Sequence, residues 1–111
     1  MTIFKKIIEK QIPAKIVYED EMCLAFHDVD PKAPTHILLI PKKEIASLDN
    51  LVDEDAKILG HMMLQIPKIA KQHSLGLGYR VVCNTGLSAG QSVFHLHFHI
   101  LGGRSMTWPP G

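Results

Sequence analysis

Between Ser92 and Leu101 apolar and polar residues alternate: Leu96, Phe98 and Ile100 fall between His95, His97 and His99. A period of two predicts a half-buried strand over Ser92–Leu101. Successive strand side chains point to opposite faces, so the three imidazoles share one face, with Cα atoms about 6.6 Å apart. The apolar set then faces a core. Short alternating or apolar runs predict further strands at Lys15–Tyr18, Cys23–His27, His36–Ile40 and Tyr79–Asn84. The acidic turn Glu19-Asp20-Glu21 joins the first two. Pro41 ends the third, whose unbroken apolar run suits a central strand.

Two stretches carry helical spacing instead. Thr2 can cap a short helix with Ile3, Phe4, Ile7 and Ile8 on one face and Lys5, Lys6 and Glu9 on the other, stopped by Pro13. A long helix is predicted over Asp53–His73, with Leu59, Met62, Met63, Ile66, Ile69 and Ala70 as its core stripe. Asp53, Glu54 and Asp55 in its first turn suit the helix dipole. Pro67 removes the bond to the Met63 carbonyl, at a cost of about 3 kcal/mol, which predicts a kink or two abutting helices. Gly76 and Gly78 are expected to end it, and His61 and His73 to lie at the surface or an interface. Helix, hairpin, strand, long helix and two strands make an α+β domain with an antiparallel sheet. With no repeat, linker or low-complexity tract, residues 1–111 are expected to form one domain.

Composition narrows the function. The chain has 111 residues, 46% of them hydrophobic, and a net charge of +1 from 12 basic and 11 acidic side chains. The charges are mixed and form no basic stripe, which argues against a nucleic-acid polymer as partner. A domain this small gains from oligomerisation. Cys23 and Cys83 fit no zinc or Cys-x-x-Cys spacing and read as buried thiols of an intracellular protein. No signal peptide is evident in Met1–Lys10, and no run is long enough to span a bilayer, so the expectation is a cytoplasmic protein without a membrane partner.

The seven histidines carry the chemistry. A His-x-His row on one strand face suits metal ligation, or nucleophilic catalysis by a neutral imidazole whose tautomer is held by its neighbours. The segment Asn84-Thr85-Gly86-Leu87-Ser88-Ala89-Gly90-Gln91-Ser92 runs straight into that row. Its glycines would let successive amides converge on an anion, with Gln91 and Ser92 adding donors. A metal would call for carboxylate or thiolate company, and none lies nearby in the sequence. Loop and row together read as a phosphate beside an imidazole nucleophile.

His95-Leu96-His97-Phe98-His99-Ile100-Leu101 resembles the His-φ-His-φ-His-φ-φ motif of the histidine triad family of nucleotide hydrolases and transferases. Gly90-Gln91-Ser92-Val93, Gly102-Gly103-Arg104 and Trp108-Pro109-Pro110-Gly111 resemble its nucleotide-binding, purine nucleoside phosphoramidase branch. Ile12-Pro13-Ala14-Lys15, Ala25-Phe26-His27-Asp28, Ala33-Pro34-Thr35-His36 and Pro41-Lys42-Lys43 extend the likeness over nearly the whole chain. One departure is Glu44, where that branch often has a histidine.

The resemblance implies a five-stranded antiparallel sheet with a short N-terminal and one long helix, continued across a homodimer. It implies hydrolysis of purine nucleoside 5′-phosphoramidates without metal or cofactor, through a nucleotidyl adduct on His97. His99 and His36 would orient His97 and bind phosphate oxygens, with Ser92 near the leaving group and His95 supplying a carbonyl. Asn84, Gln91 and the Gly90 backbone would hold phosphate or ribose oxygens, and Asp28 the ribose hydroxyls. Phe26, Val29, Ile3, Phe4 and Ile7 would wall the purine site, and the tail with Trp108 would reach the partner's cleft. The alternative is a nucleotide-binding module that regulates a partner protein.

Overall fold

Five strands, β1 (Ile16–Glu19), β2 (Cys23–His27), β3 (Thr35–Pro41), β4 (Tyr79–Val82) and β5 (Phe98–Gly102), form one antiparallel sheet in the order β1-β2-β3-β5-β4. They are seen in a computed structural model that describes Met1–Gly111. Helix α1 (Ile3–Ile8) packs on one face and helix α2 (Ala56–Gln72) on the other. This is the expected α+β architecture, with β3 at the centre.

Period-two patterning decides which face is which. Ile37 and Leu39 of β3, Cys23 and Ala25 of β2, and Phe98 and Ile100 of β5 meet Met62, Ile66, Ile69 and Ala70 of α2. The alternate positions Leu38, Ile40, Leu24 and Phe26 meet Phe4 and Ile7 of α1. On that second face, α1 covers only part of the sheet. His36 and His99 occupy the same side of β3 and β5, because Leu38 pairs directly with His99.

Both helices end differently from the expectation. α1 stops well before Pro13: Lys10 adopts φ 61°, and the Gln11 and Lys10 amides bond back to the Lys6 and Ile7 carbonyls. α2 ends the same way at Ser74, φ 59°, whose amide and that of Leu75 reach Lys71 and Ala70, ahead of Gly76 and Gly78. These are Schellman caps with a side chain where glycine is usual. Pro67 does not divide α2, which runs unbroken. The carbonyl it leaves without a donor belongs to Met63, which is exposed to water.

The histidine strand is shorter than the alternation suggests. β5 begins at Phe98, not Ser92. Continuing the β3–β5 register would set Leu96 opposite Pro41, which has no N–H to donate. Leu96 instead gives its amide to the Ile45 carbonyl (2.7 Å) and sinks into the α2-side core. The alternation of faces survives without the ladder: Leu96 points one way, while His95 and His97 both reach Phe4 on the other.

Candidate functional site

Beside α1 the uncovered part of the sheet forms a cleft of about 600 Å³. Ile3, Phe4, Ile7 and Phe26 give it an apolar wall, and Asp28, His36, Asn84, Ser92, His97 and His99 supply polar groups. Val29 stands on the rim, 98% exposed. Residues that sequence reasoning did not single out also line it, among them Leu38, Val82, Val93 and Leu101. Their signal was present only as strand alternation, which says which face a residue shares but not where a helix leaves that face open.

Backbone groups hold the rings. His95, which does not line the cleft, gives its Nε2–H to the Pro41 carbonyl at 2.7 Å. Its own carbonyl accepts from His97 Nδ1 at 2.8 Å. A carbonyl can only accept, so neutral His97 carries its proton on Nδ1 and keeps a lone pair on Nε2. Phe4 packs edge-on against that ring, centroids 5.0 Å apart, and His99 lies at the same separation on another side.

His36 and His99 are linked through Nε2 and Nδ1 at 2.9 Å. Burial holds the His36 pKa below its usual range, against the opposing pull of the Asp28 carboxylate. Burial, followed by the neighbouring charges of His97 and His36, pulls His99 down to about 4. Burial likewise lowers His95, against the Pro41 carbonyl. His36, His95 and His99 are therefore uncharged at neutral pH.

The loop before the row differs from the expected anion nest. The amides of Ala89, Gly90 and Gln91 bond back to Gly86 and Leu87, closing a 3-10 turn with Gly90 at φ 92°. The Gln91 side chain is buried and fully used: it accepts from the Gly86 amide and donates to the Ala46 and Val93 carbonyls. Gln91 therefore braces the loop from inside and offers the cleft nothing. Among the residues lining the cleft, the Ser92 and Val93 amides bond to no protein group.

Asp28 does two things at once. Its Oδ1 accepts the Asp30 amide at 2.8 Å, a turn-forming role, and its Oδ2 lies 3.4 Å from His36 Nε2. A carboxylate thus does stand beside the histidines, contrary to the expectation from sequence spacing. Asp28, His36 and His99 each offer one atom, all within 4.8 Å of one another. The set nevertheless does not fit a cation: the Lys32 amide donates to His36 Nδ1 at 2.9 Å, so the proton of neutral His36 occupies Nε2, the atom a metal would need.

Trp108 and His61 lie away from the cleft of the single chain. Trp108 does not line it within the single chain; it is 81% exposed, with the Arg80 guanidinium 5.9 Å from its ring and the Thr107 carbonyl accepting from Arg80. His61 is partly exposed and its Nε2 sits 2.5 Å from Asp20, which also takes the Tyr18 hydroxyl and the Met22 and Cys23 amides. That carboxylate pins α2 to the β1–β2 turn. Burial works to raise its pKa, yet the donors together hold it well below the carboxylate range.

The antiparallel sheet presents an imidazole lone pair next to a buried imidazole pair, a site whose polar groups are chiefly histidines. The sequence pattern of the HIT domain family matches residues 9–106, and the chain belongs to that family. It is 58% identical over 110 residues to an uncharacterized HIT-like protein of Synechococcus elongatus, covering 99% of this chain and 96% of that one. A HIT family hydrolase from Legionella pneumophila has the same fold at TM-score 0.97 and 46% identity, with both chains fully covered. A histidine triad nucleotide-binding protein from Candida albicans matches at TM-score 0.84 and 33% identity, covering 98% of this chain and 83% of that one. No helix of the present chain is long and apolar enough to cross a membrane.

Proposed function

We propose that the protein hydrolyses purine nucleoside 5′-phosphoramidates, such as adenosine 5′-monophosphoramidate, through a covalent nucleotidyl-His97. The observation that carries this reading is the His97 ring: its proton is tied to the His95 carbonyl, and Nε2 keeps a lone pair in the cleft. The hydrolase and nucleotide-binding relatives support the substrate class. The purine lies between Ile3, Phe4, Ile7, Phe26 and Val29, and the ribose hydroxyls meet Asp28. The phosphoryl oxygens take hydrogen bonds from the Ser92 and Val93 amides and His99, where charge gathers as the bond breaks.

Nε2 of His97 attacks the α-phosphorus, and the P–N bond breaks as the departing nitrogen takes a proton relayed from solvent past the Ser92 hydroxyl. Water then attacks the same phosphorus, freeing the nucleoside monophosphate and restoring the lone pair. The working unit is a homodimer. One stripe of α2 leaves Ala56, Gly60, Met63, Leu64 and Pro67 exposed, and β4 is an open edge with Tyr79 and Val81 half-covered.

Acid-quenched protein incubated with substrate is expected to carry the nucleotidyl mass on the peptide containing His97. Full turnover by His97→Ala, or activity lost to chelation and restored by one divalent metal, would sink the proposal.

A further inference from the structure

We propose that the backbone amide of Lys32 is a positioning group that sets the tautomer of His36 and, through it, of His99, so that neutral His99 keeps its proton on Nε2 and turns its lone pair toward His36. An amide can only donate. Its 2.9 Å contact with His36 Nδ1 therefore places a lone pair on Nδ1 and the single proton of neutral His36 on Nε2. That Nε2–H points at His99 Nδ1, also at 2.9 Å, which must accept. The proton of His99 is left on Nε2, a buried atom with no partner in the protein.

The opposite arrangement is disfavoured at two contacts. A proton on His36 Nδ1 would face the Lys32 N–H head-on, and the bare Nε2 would turn its lone pair toward Asp28 Oδ2, 3.4 Å away. The donor itself is anchored. Pro31 and Pro34 stiffen the loop, the Arg104 guanidinium donates to the Lys32 carbonyl at 3.1 Å, and Gly103 lets Pro34 approach where a Cβ would come within 2.9 Å of it. His97 is wired with the reverse polarity, because the backbone group behind it is a carbonyl.

Two rings 5.0 Å apart thus offer a lone pair and an N–H side by side. The catalytic consequence rests on the phosphoramidase reading: His99 is a standing donor to a phosphoryl oxygen and cannot act as the base toward water. The tautomers themselves do not depend on that reading.

The test is a long-range proton–nitrogen correlation spectrum of the full-length protein with 15N-labelled histidine, near neutral pH. His36 and His99 are expected to show a protonated Nε2 and a bare Nδ1, and His97 the reverse. His99 protonated at Nδ1, or a mixture, overturns the proposal, and this wild-type measurement needs no variant to fold. Replacing Lys32 by its α-hydroxy acid through semisynthesis removes only the N–H. Mixed tautomers at His36 and His99 are then expected, with kcat down about two- to tenfold and KM within about twofold.

In a His99→Gln background, whose side-chain amide can donate whatever His36 does, the ester is expected to cost no further activity. An ester protein with unchanged tautomers and unchanged kcat also overturns the proposal. Turnover with His99 protonated at Nδ1 removes the relay and leaves the phosphoramidase. Correct tautomers without turnover do the converse.

Discussion

His99→Gln is expected to flatten the acid side of the stability curve. The fold holds His99 at about 4, against its ordinary 6.5, first because the ring is buried and then because His97 and His36 stand beside it. Above pH 6.5 neither the folded nor the unfolded chain protonates this ring, so it contributes nothing. Below that, the unfolded chain binds a proton that the folded chain refuses, and stability falls with pH. The slope is about 1.4 kcal/mol per pH unit, so the 2.5 units between 6.5 and 4 amount to about 3 kcal/mol. Below about pH 4 both states are protonated and the loss stops growing. For a domain whose whole stability is about 5–15 kcal/mol, this is a large fraction.

Urea unfolding of the wild type and of His99→Gln, measured from neutral pH down to about pH 5, reads the effect directly. Any fixed cost of the substitution, from lost packing or hydrogen bonding, is common to every pH and cancels in the comparison. The gap between the two proteins should move by about 2 kcal/mol in favour of the variant over that range. His95, also held down chiefly by burial, destabilises both proteins in acid equally, and the glutamine side chain of the variant keeps an acceptor for His36. Two parallel stability–pH curves would refute the burial argument for His99, and with it the claim that the ring enters the reaction uncharged.

Lys10→Gly and Ser74→Gly relieve left-handed backbone at φ 61° and 59° and should each add about 0.5–1 kcal/mol in melts. The Lys10–Glu19 pair lost in the first is exposed at the lysine and subtracts little. Asp28→Asn keeps an acceptor for the Asp30 amide but removes the charge, so kcat/KM on a ribonucleotide substrate should drop by about one to two decades, and much less on its 2′-deoxy counterpart. Equal losses on both would take Asp28 off the ribose. Mixing His97→Ala protomers with protomers truncated after Ser105 should restore leaving-amine selectivity in the heterodimer if the Trp108 tail works in trans. Heterodimers that keep the truncated protein's selectivity would place the tail's effect in cis or nowhere.

Side-chain patterning announced the sheet, both helices and the grouping of His95, His97 and His99 on one side, because burial is what alternation and helical spacing record. It overstated the last strand because a ladder needs two partners. The N–H that would have continued it is missing at Pro41, some fifty positions away in sequence. The anion nest was overstated for a related reason. Glycines in Asn84–Ser92 permit converging amides, but the Gly86 and Leu87 carbonyls inside the same loop took three of them first. The carboxylate beside the histidines was invisible because Asp28 and His99 are brought together only by the pairing of β3 with both β2 and β5.

What sequence could least disclose is the set of partners that orient the rings, since all three that matter most are main-chain atoms: the Lys32 amide, the Pro41 carbonyl and the His95 carbonyl. Any residue type supplies a carbonyl, and any but proline an amide, so no motif marks them. The choice has a chemical consequence. In the proposed mechanism, a carboxylate behind His97 would place a full negative charge where an anionic phosphoryl group must approach, and would favour an imidazolium that has no lone pair to give. A carbonyl fixes the same tautomer with a dipole alone. The one carboxylate in the cluster, Asp28, is instead set behind His36, a ring removed from His97 through His99. There, on the same proposal, its charge favours positive charge developing on an adducted His97 without meeting the substrate's phosphate head-on.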